Sequence, residues 1–203
     1  MVQALQTGLD TLKNAKLLSP KLRTRRLVNH LLPIPATPIL RIGQIPPDFE
    51  LPLIEPDPQP DSEPAKIRRS EFCKTHRFTV LSFTRIFSDE HYCPLCFPHQ
   101  IALRDNIKQI RDLGAEVLMV AGIPSDQGRK VISDLHLNYP VLSDPNCGTF
   151  RLYHTGQALG APLPATFILD NHGRLRYQYL FRFQEANPPI NEILQTLISL
   201  QVP

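Results

Sequence analysis

The chain lacks any apolar run of the ~18 residues that a bilayer-spanning helix needs, so no membrane segment is expected. It lacks a strong charge of either sign. A formal net charge of +3 over 203 residues is too small for the basic face of a nucleic-acid binder, so partners must be sought in local sites. Cysteine is scarce. Four in a chain of this size do not make the disulfide framework of a small secreted scaffold, and no signal peptide opens the text. A reducing, cytoplasmic setting is the expectation. What is present is ordinary for a globular protein, 42% hydrophobic and 20% charged residues, in a length that suits one domain with a well-buried core.

Residues 1–42 form a basic extension in which Lys13, Lys16, Lys21, Arg23, Arg25, Arg26 and Arg41 face the single acid Asp10, with Leu5, Leu9 and Leu12 at helical spacing. A basic, acid-poor start also describes an organellar transit peptide, but hydroxyl residues are sparse and prolines break the stretch from Pro33 to Pro38. Arg25-Arg26 is followed by an apolar run too short and too polar for an export signal. The reading is an ordered extension packed on a domain over 43–203. Prolines crowd the first third of the chain and mark extended arms rather than core. Ile45 to Leu53 alternates as an edge strand and then dissolves into the acidic, proline-rich loop Glu55 to Pro64.

Phe78 to Phe83 and Ala115 to Ile123 are compact apolar runs of the kind that makes buried strands, and Tyr139 to Leu142 is a shorter one. Ile101, Leu103, Ile107, Ile110 and Leu113 keep helical spacing up to Gly114, and further helices are expected over Asp126 to Leu135 and Ile190 to Leu200. Ala165 to Asp170 and Arg174 to Phe181 flank Asn171-His172-Gly173 as a hairpin. Strands alternating with helices, closed by a hairpin, predict an α/β fold with a mixed central sheet covered by helices.

The chemistry centres on Cys93-Pro94-Leu95-Cys96, two cysteines on a strand-to-helix turn. The thiolate is the reactive form of cysteine, and its pKa falls where the sulfur faces the N–H groups of a helix start or a nearby cation. Cys96, about one turn on, lies within reach of the Cys93 sulfur and can close a disulfide once Cys93 is oxidised. His91 and Arg85 would add positive charge, and Glu90 would oppose it. Two other readings stand beside this one. The pair could be buried helix-start residues, or Cys93, Cys96, His91 and His99 could form a metal set, although ligands on one turn rarely close a tetrahedron and there is no second CxxC. Cys147, beside Gly148 and Phe150, is either core or a second resolving thiol, and Cys73 is incidental.

From Ile45 to Leu200 the sequence resembles the thioredoxin-fold, peroxiredoxin-like proteins of the AhpC/TSA group. The resemblance is carried by Pro46-Pro47-Asp48-Phe49-Glu50-Leu51, by Val80 to Arg85 leading into Cys93-Pro94-Leu95-Cys96, by Gly114-Ala115-Glu116-Val117-Leu118, by Val141-Leu142-Ser143-Asp144-Pro145 and by Leu163-Pro164-Ala165-Thr166-Phe167-Ile168-Leu169-Asp170. It implies a thioredoxin-like three-layer α/β/α sandwich, with Cys93 attacking and Cys96 resolving. It also implies a cis bond at Pro164, which would hold the Leu163 backbone as a docking edge facing the cysteines, and Arg85 as a substrate-positioning residue. The implied activity is reduction of peroxides or disulfides, renewed by an external thiol reductant such as a thioredoxin or glutaredoxin, with no cofactor or resident metal. The sequence departs from the group's pattern in ways that weaken the peroxidase reading. Where typical members carry a threonine or serine and a proline ahead of the attacking cysteine, this chain has Glu90 and Ile86, and Pro164 stands near the strand that elsewhere supplies an arginine. A non-catalytic redox-sensing or binding module of the same fold is the competing expectation.

Overall fold

The strand Phe78–Thr84 (β3 below) reads FTVLSFT and is buried along its whole length, as a strand covered on both faces must be. The computed structural model describes residues 32–57, 63–88, 91–158, 161–182 and 184–201. The order of elements is β1 (Glu50–Pro52), β2 (Lys66–Arg68), α1 (Arg69–Lys74), β3 (Phe78–Thr84), β4 (Ile86–Ser88), β5 (His91–Tyr92), α2 (Phe97–Asp105), α3 (Ile107–Asp112) and β6 (Ala115–Ala121). Then follow α4 (Ser125–Leu135), β7 (Val141–Ser143), α5 (Gly148–Leu152), β8 (Gln157–Ala158), β9 (Ala161–Pro162), β10 (Ala165–Asp170), β11 (Leu175–Leu180) and α6 (Ile190–Ser199).

The central sheet has the order β11-β10-β3-β6-β7. β3, β6 and β7 run parallel, while β10 is antiparallel to both β3 and β11. Side-chain alternation sorts the core into two clusters. Val80, Val117, Met119 and Ile168 meet Leu103 of α2, Ile107 and Ile110 of α3, Val131 of α4 and Leu197 of α6. Leu81, Phe83, Leu118, Val120 and Phe167 meet Cys73 of α1 and Phe150 of α5. The result is the expected three-layer α/β/α sandwich with a mixed sheet.

The proline-rich segment ahead of β3 lies along one margin of that sheet. Ile54 donates its N–H to the Val141 carbonyl at 2.8 Å, and Leu53 forms a single antiparallel bridge with Leu142, so the outer side of β7 is already occupied. The expected edge strand is thus real but short, and it pairs with β2 rather than joining the main sheet.

Two local expectations are corrected. The helix anticipated up to Gly114 is interrupted at Asn106, whose side-chain amide donates to the Ala102 carbonyl at 2.9 Å and whose backbone leaves the helical region (φ −106, ψ 11); asparagine competes with the helix ladder for its own carbonyls. The Leu163–Pro164 bond is trans, since the described backbone contains no cis peptide bond. Pro164 simply opens β10, a position where the missing N–H is no loss. Of the basic extension, residues 1–31 lie outside the described residues; 32–42 run across the domain, with Ile34 bridged to Gln157.

Candidate active site

The site is built by a hairpin that periodicity could not reveal. β4 and β5 pair antiparallel through Ile86↔Tyr92, and one step back in that register Arg85 falls opposite Cys93. The chain then turns through Pro94, Leu95 and Cys96, with the Cys96 N–H donating to the Cys93 carbonyl at 2.9 Å and the Phe97 N–H donating to it at 3.1 Å. Helix α2 therefore starts at Phe97 with Cys96 as its N-cap, and it is Pro98 rather than Pro94 that occupies the first helical turn. Both cysteines precede the regular helix.

The two sulfurs are 3.1 Å apart, the Cys96 thiol donating to Cys93, and both residues are buried. None of the four cysteines is in a disulfide. The Cys93 pKa is lowered to about 6 by the hydrogen bond from the Cys96 thiol, against the opposing cost of burial, with help from the Leu95 N–H, the Arg85 charge and the Cys96 N–H. The same hydrogen bond, together with burial, pushes the Cys96 thiol far above its ordinary value. With the Cys96 thiol donating to Cys93, the charged form is favoured on Cys93 and the proton on Cys96. The division of labour is that of a nucleophile and a proton-bearing partner.

Arg85 is buried at the end of β3, and its guanidinium donates to the Ala158 carbonyl. Extending the β3–β10 register, in which Ala165 faces Phe83, brings Leu163 level with Arg85. Leu163 and Pro164 are buried at the same end of the sheet as the cysteine turn, but the Leu163 N–H already donates to the Gly156 carbonyl at 3.0 Å and is not available to a docked chain. Glu90 lies outside the described residues. His99 is buried; its pKa falls to about 4 because burial disfavours the imidazolium, despite a hydrogen bond with the Pro188 backbone, and its Nε2 lies 3.5 Å from the Thr166 hydroxyl. Among the described residues no cluster of three or more His, Cys, Asp and Glu side chains is placed to share a metal ion. Cys73 and Cys147 are both buried in the aromatic cluster on the α1/α5 face of the sheet, and burial raises the Cys73 thiol.

Beside the turn lies an open cleft of about 260 Å³ whose walls include Leu95, Pro98, Ala102, Pro188 and Ile190. Leu95 stands at its lip with 57% of its surface exposed, and the Asn187 side chain ties that lip down by donating to the Leu95 carbonyl at 3.0 Å. Both thiols and Arg85, expected from the sequence, lie together here; the particular amides of Leu95 and Cys96 and the Ala158 carbonyl were not named from the sequence, because main-chain groups carry no residue-type signal.

The electrostatics lead to a direct prediction. Alkylation of Cys93 by iodoacetamide should rise with pH through about 6 and level off near neutrality, since the depressed pKa leaves the thiolate dominant above that point and lost below it. An ordinary thiol would still be gaining rate above pH 8. A rate that climbs to pH 9 without a plateau would contradict the assignment.

The AhpC/TSA family matches residues 42–178. Among curated proteins, the chain is 28% identical to the chloroplastic peroxiredoxin Q of Sedum lineare over 110 residues, 53% of this chain and 59% of that protein, so it spans rather less than two thirds of its relative's length. Among solved structures, Mycobacterium bovis AhpC superposes with a TM-score of 0.66 at 21% identity, covering 82% of this chain and 95% of that one. The reduced 2-Cys peroxiredoxin of Plasmodium vivax gives 0.65 at 15% identity, covering 79% and 81%. At these identities the superpositions establish the fold. No helix among the described residues is long and apolar enough to cross a membrane.

Proposed function

The chain belongs to the AhpC/TSA family, and from that premise we propose that it is a thiol-dependent oxidoreductase that reduces peroxides through a Cys93/Cys96 dithiol–disulfide cycle. The observation that carries this reading is the pair of sulfurs at 3.1 Å, the Cys96 thiol donating to Cys93. In the first step the Cys93 thiolate attacks one peroxide oxygen, the O–O bond breaks, Cys93 becomes a sulfenic acid, and the alkoxide of an organic peroxide or the hydroxide of hydrogen peroxide leaves, to be protonated to the alcohol or water. In the second, the Cys96 sulfur attacks the Cys93 sulfur and the sulfenic hydroxyl departs as water with the Cys96 proton. The sulfurs begin about 1 Å beyond covalent separation, so the step asks little of the fold. An external dithiol of thioredoxin or glutaredoxin type then reduces the disulfide by exchange.

Arg85 supplies positive charge beside the reacting sulfur and, on this reading, meets the charge that develops on the departing oxygen. The buried Leu163–Pro164 segment would form the wall opposite the cysteine turn. Renewal by an external dithiol suits a reducing compartment such as the cytoplasm, with residues 1–42 as an extension to a redox domain over 43–203.

A second reading, thiol–disulfide exchange with a protein substrate, is favoured by one observation: Glu90 and Ile86 stand where typical relatives carry peroxide-positioning groups, and Pro164 lies near the strand that supplies their arginine. Stopped-flow mixing of the reduced protein with hydrogen peroxide, an organic hydroperoxide and a protein disulfide separates the two. Peroxide oxidising Cys93 at least about tenfold faster than a free thiol of matched pKa supports peroxidase chemistry; the reverse order, with fast disulfide exchange, replaces it with the second reading.

A further inference from the structure

The turn after α5 is gripped by the extension. Residues 34–37 cross it as a strap. Ile34 and Gln157 exchange backbone hydrogen bonds, each 2.8 Å, the Thr37 N–H donates to the His154 carbonyl at 3.0 Å, and the Gln157 side chain donates to the Leu32 carbonyl at 2.9 Å. Gly156, between those contacts, has φ +80; a Cβ there would stand 2.5 Å from both the Ala36 nitrogen and the Ile34 oxygen. Only glycine lets the strap lie this close. The strap's own side chains do little to hold it, for Ile34 is 53% exposed and Leu32 76%. What is fixed is backbone, and the backbone fixed is that of β8.

β8 comprises Gln157 and Ala158, and Ala158 is the residue whose carbonyl receives the Arg85 guanidinium. The connection from strap to thiol runs from Ile34 to Gln157 by hydrogen bonds, along the chain to Ala158, by a hydrogen bond to Arg85, and from the Arg85 charge to the sulfurs. Among the described residues, the titratable and charged groups that act on Cys93 are Cys96, from its own turn, and Arg85, from the end of β3. We propose that the strap Ile34–Thr37, with Gly156 and Gln157 beneath it, is a positioning element of the thiol site: it holds the Ala158 carbonyl where Arg85 docks and so keeps the guanidinium charge at Cys93. The inference rests on Cys93 being the reactive thiol and gives part of the N-terminal extension a role at a site it does not touch.

The test is the pH midpoint of Cys93 alkylation in the full chain, with Cys73 and Cys147 followed separately by peptide mapping. Ile34→Pro removes the N–H that bonds Gln157, and because Pro33 and Pro35 flank it the extended backbone is kept. Gly156→Ala pushes the strap off from below. Each is expected to raise the midpoint by about half to one pH unit, as partial withdrawal of a nearby cation does. Arg85→Gln alone should raise it at least as far, and adding Ile34→Pro to Arg85→Gln should raise it no further, the non-additivity that marks two residues acting through one contact. An unmoved midpoint in both strap variants overturns the proposal, and so does a strap effect that persists undiminished without Arg85. Peroxide turnover is scored apart: if it is absent while the midpoint still moves with the strap and only through Arg85, the peroxidase reading fails and this one stands.

Discussion

Cys93→Ser is expected to bring thiol-dependent peroxide turnover to the uncatalysed background, a loss of about 10³-fold or more. A serine hydroxyl keeps the position but does not ionise in the working pH range. Cys96 is not expected to take over, because its thiol is buried and that burial still disfavours its thiolate once Cys93 is gone. Cys96→Ser should behave differently. A serine hydroxyl at that position can still donate to the Cys93 sulfur, so the thiolate survives and the first oxidation proceeds; resolution fails, and Cys93 sulfenic acid accumulates, visible by mass spectrometry as one added oxygen and as an adduct with dimedone. Two results would remove the assignment: undiminished turnover in Cys93→Ser, or steady multiple turnover of Cys96→Ser without a stalled intermediate.

The largest effect on stability is expected at Phe83. Its ring is fully buried and lies 5.0 Å from Phe150, 5.0 Å from Tyr153 and 5.7 Å from Phe167, in edge-on or tilted contacts. Phe83→Ala should destabilise the protein by about 3–5 kcal/mol, since the cavity is walled by rings that β3, β10 and α5 hold in place and cannot collapse cheaply. Against a total of about 5–15 kcal/mol for a domain, that is a large fraction. Urea unfolding followed by circular dichroism would show the midpoint fall with the slope unchanged. A loss below about 1 kcal/mol would mean that the aromatic cluster is looser than its ring geometry indicates.

Much of the fold was legible because its long elements obey one period at a time. β3 and β6 are continuous apolar runs, α6 repeats its leucines and isoleucines every three or four residues, and the turn Asn171-His172-Gly173 marks the β10–β11 hairpin with a glycine at φ +74. Of the short pairs, β1 showed as an edge strand but its partner β2 did not, and β4–β5 and β8–β9 were not legible, since two or three residues cannot display a period. The site suffered most from this. The cysteines and Arg85 announced themselves by residue type, but what sets Arg85 opposite Cys93 is the β4–β5 register, and what receives Arg85 is a main-chain carbonyl 73 residues away. The trans bond at Pro164 carried no local mark either, because the isomer is chosen by tertiary context.

The proline-rich segment along β7 bears on how copies of this chain can meet. A parallel sheet that ends in a bare strand invites a neighbour to extend it, which leads to fibres or open-ended polymers. Here Ile54 and Leu53 already pair with β7, and the flanking Pro52 and Pro56 cannot offer the amides a further strand would need. That margin is closed to a further strand, so an assembly of this protein that leaves the fold intact is expected to form elsewhere than by continuing the sheet beyond β7.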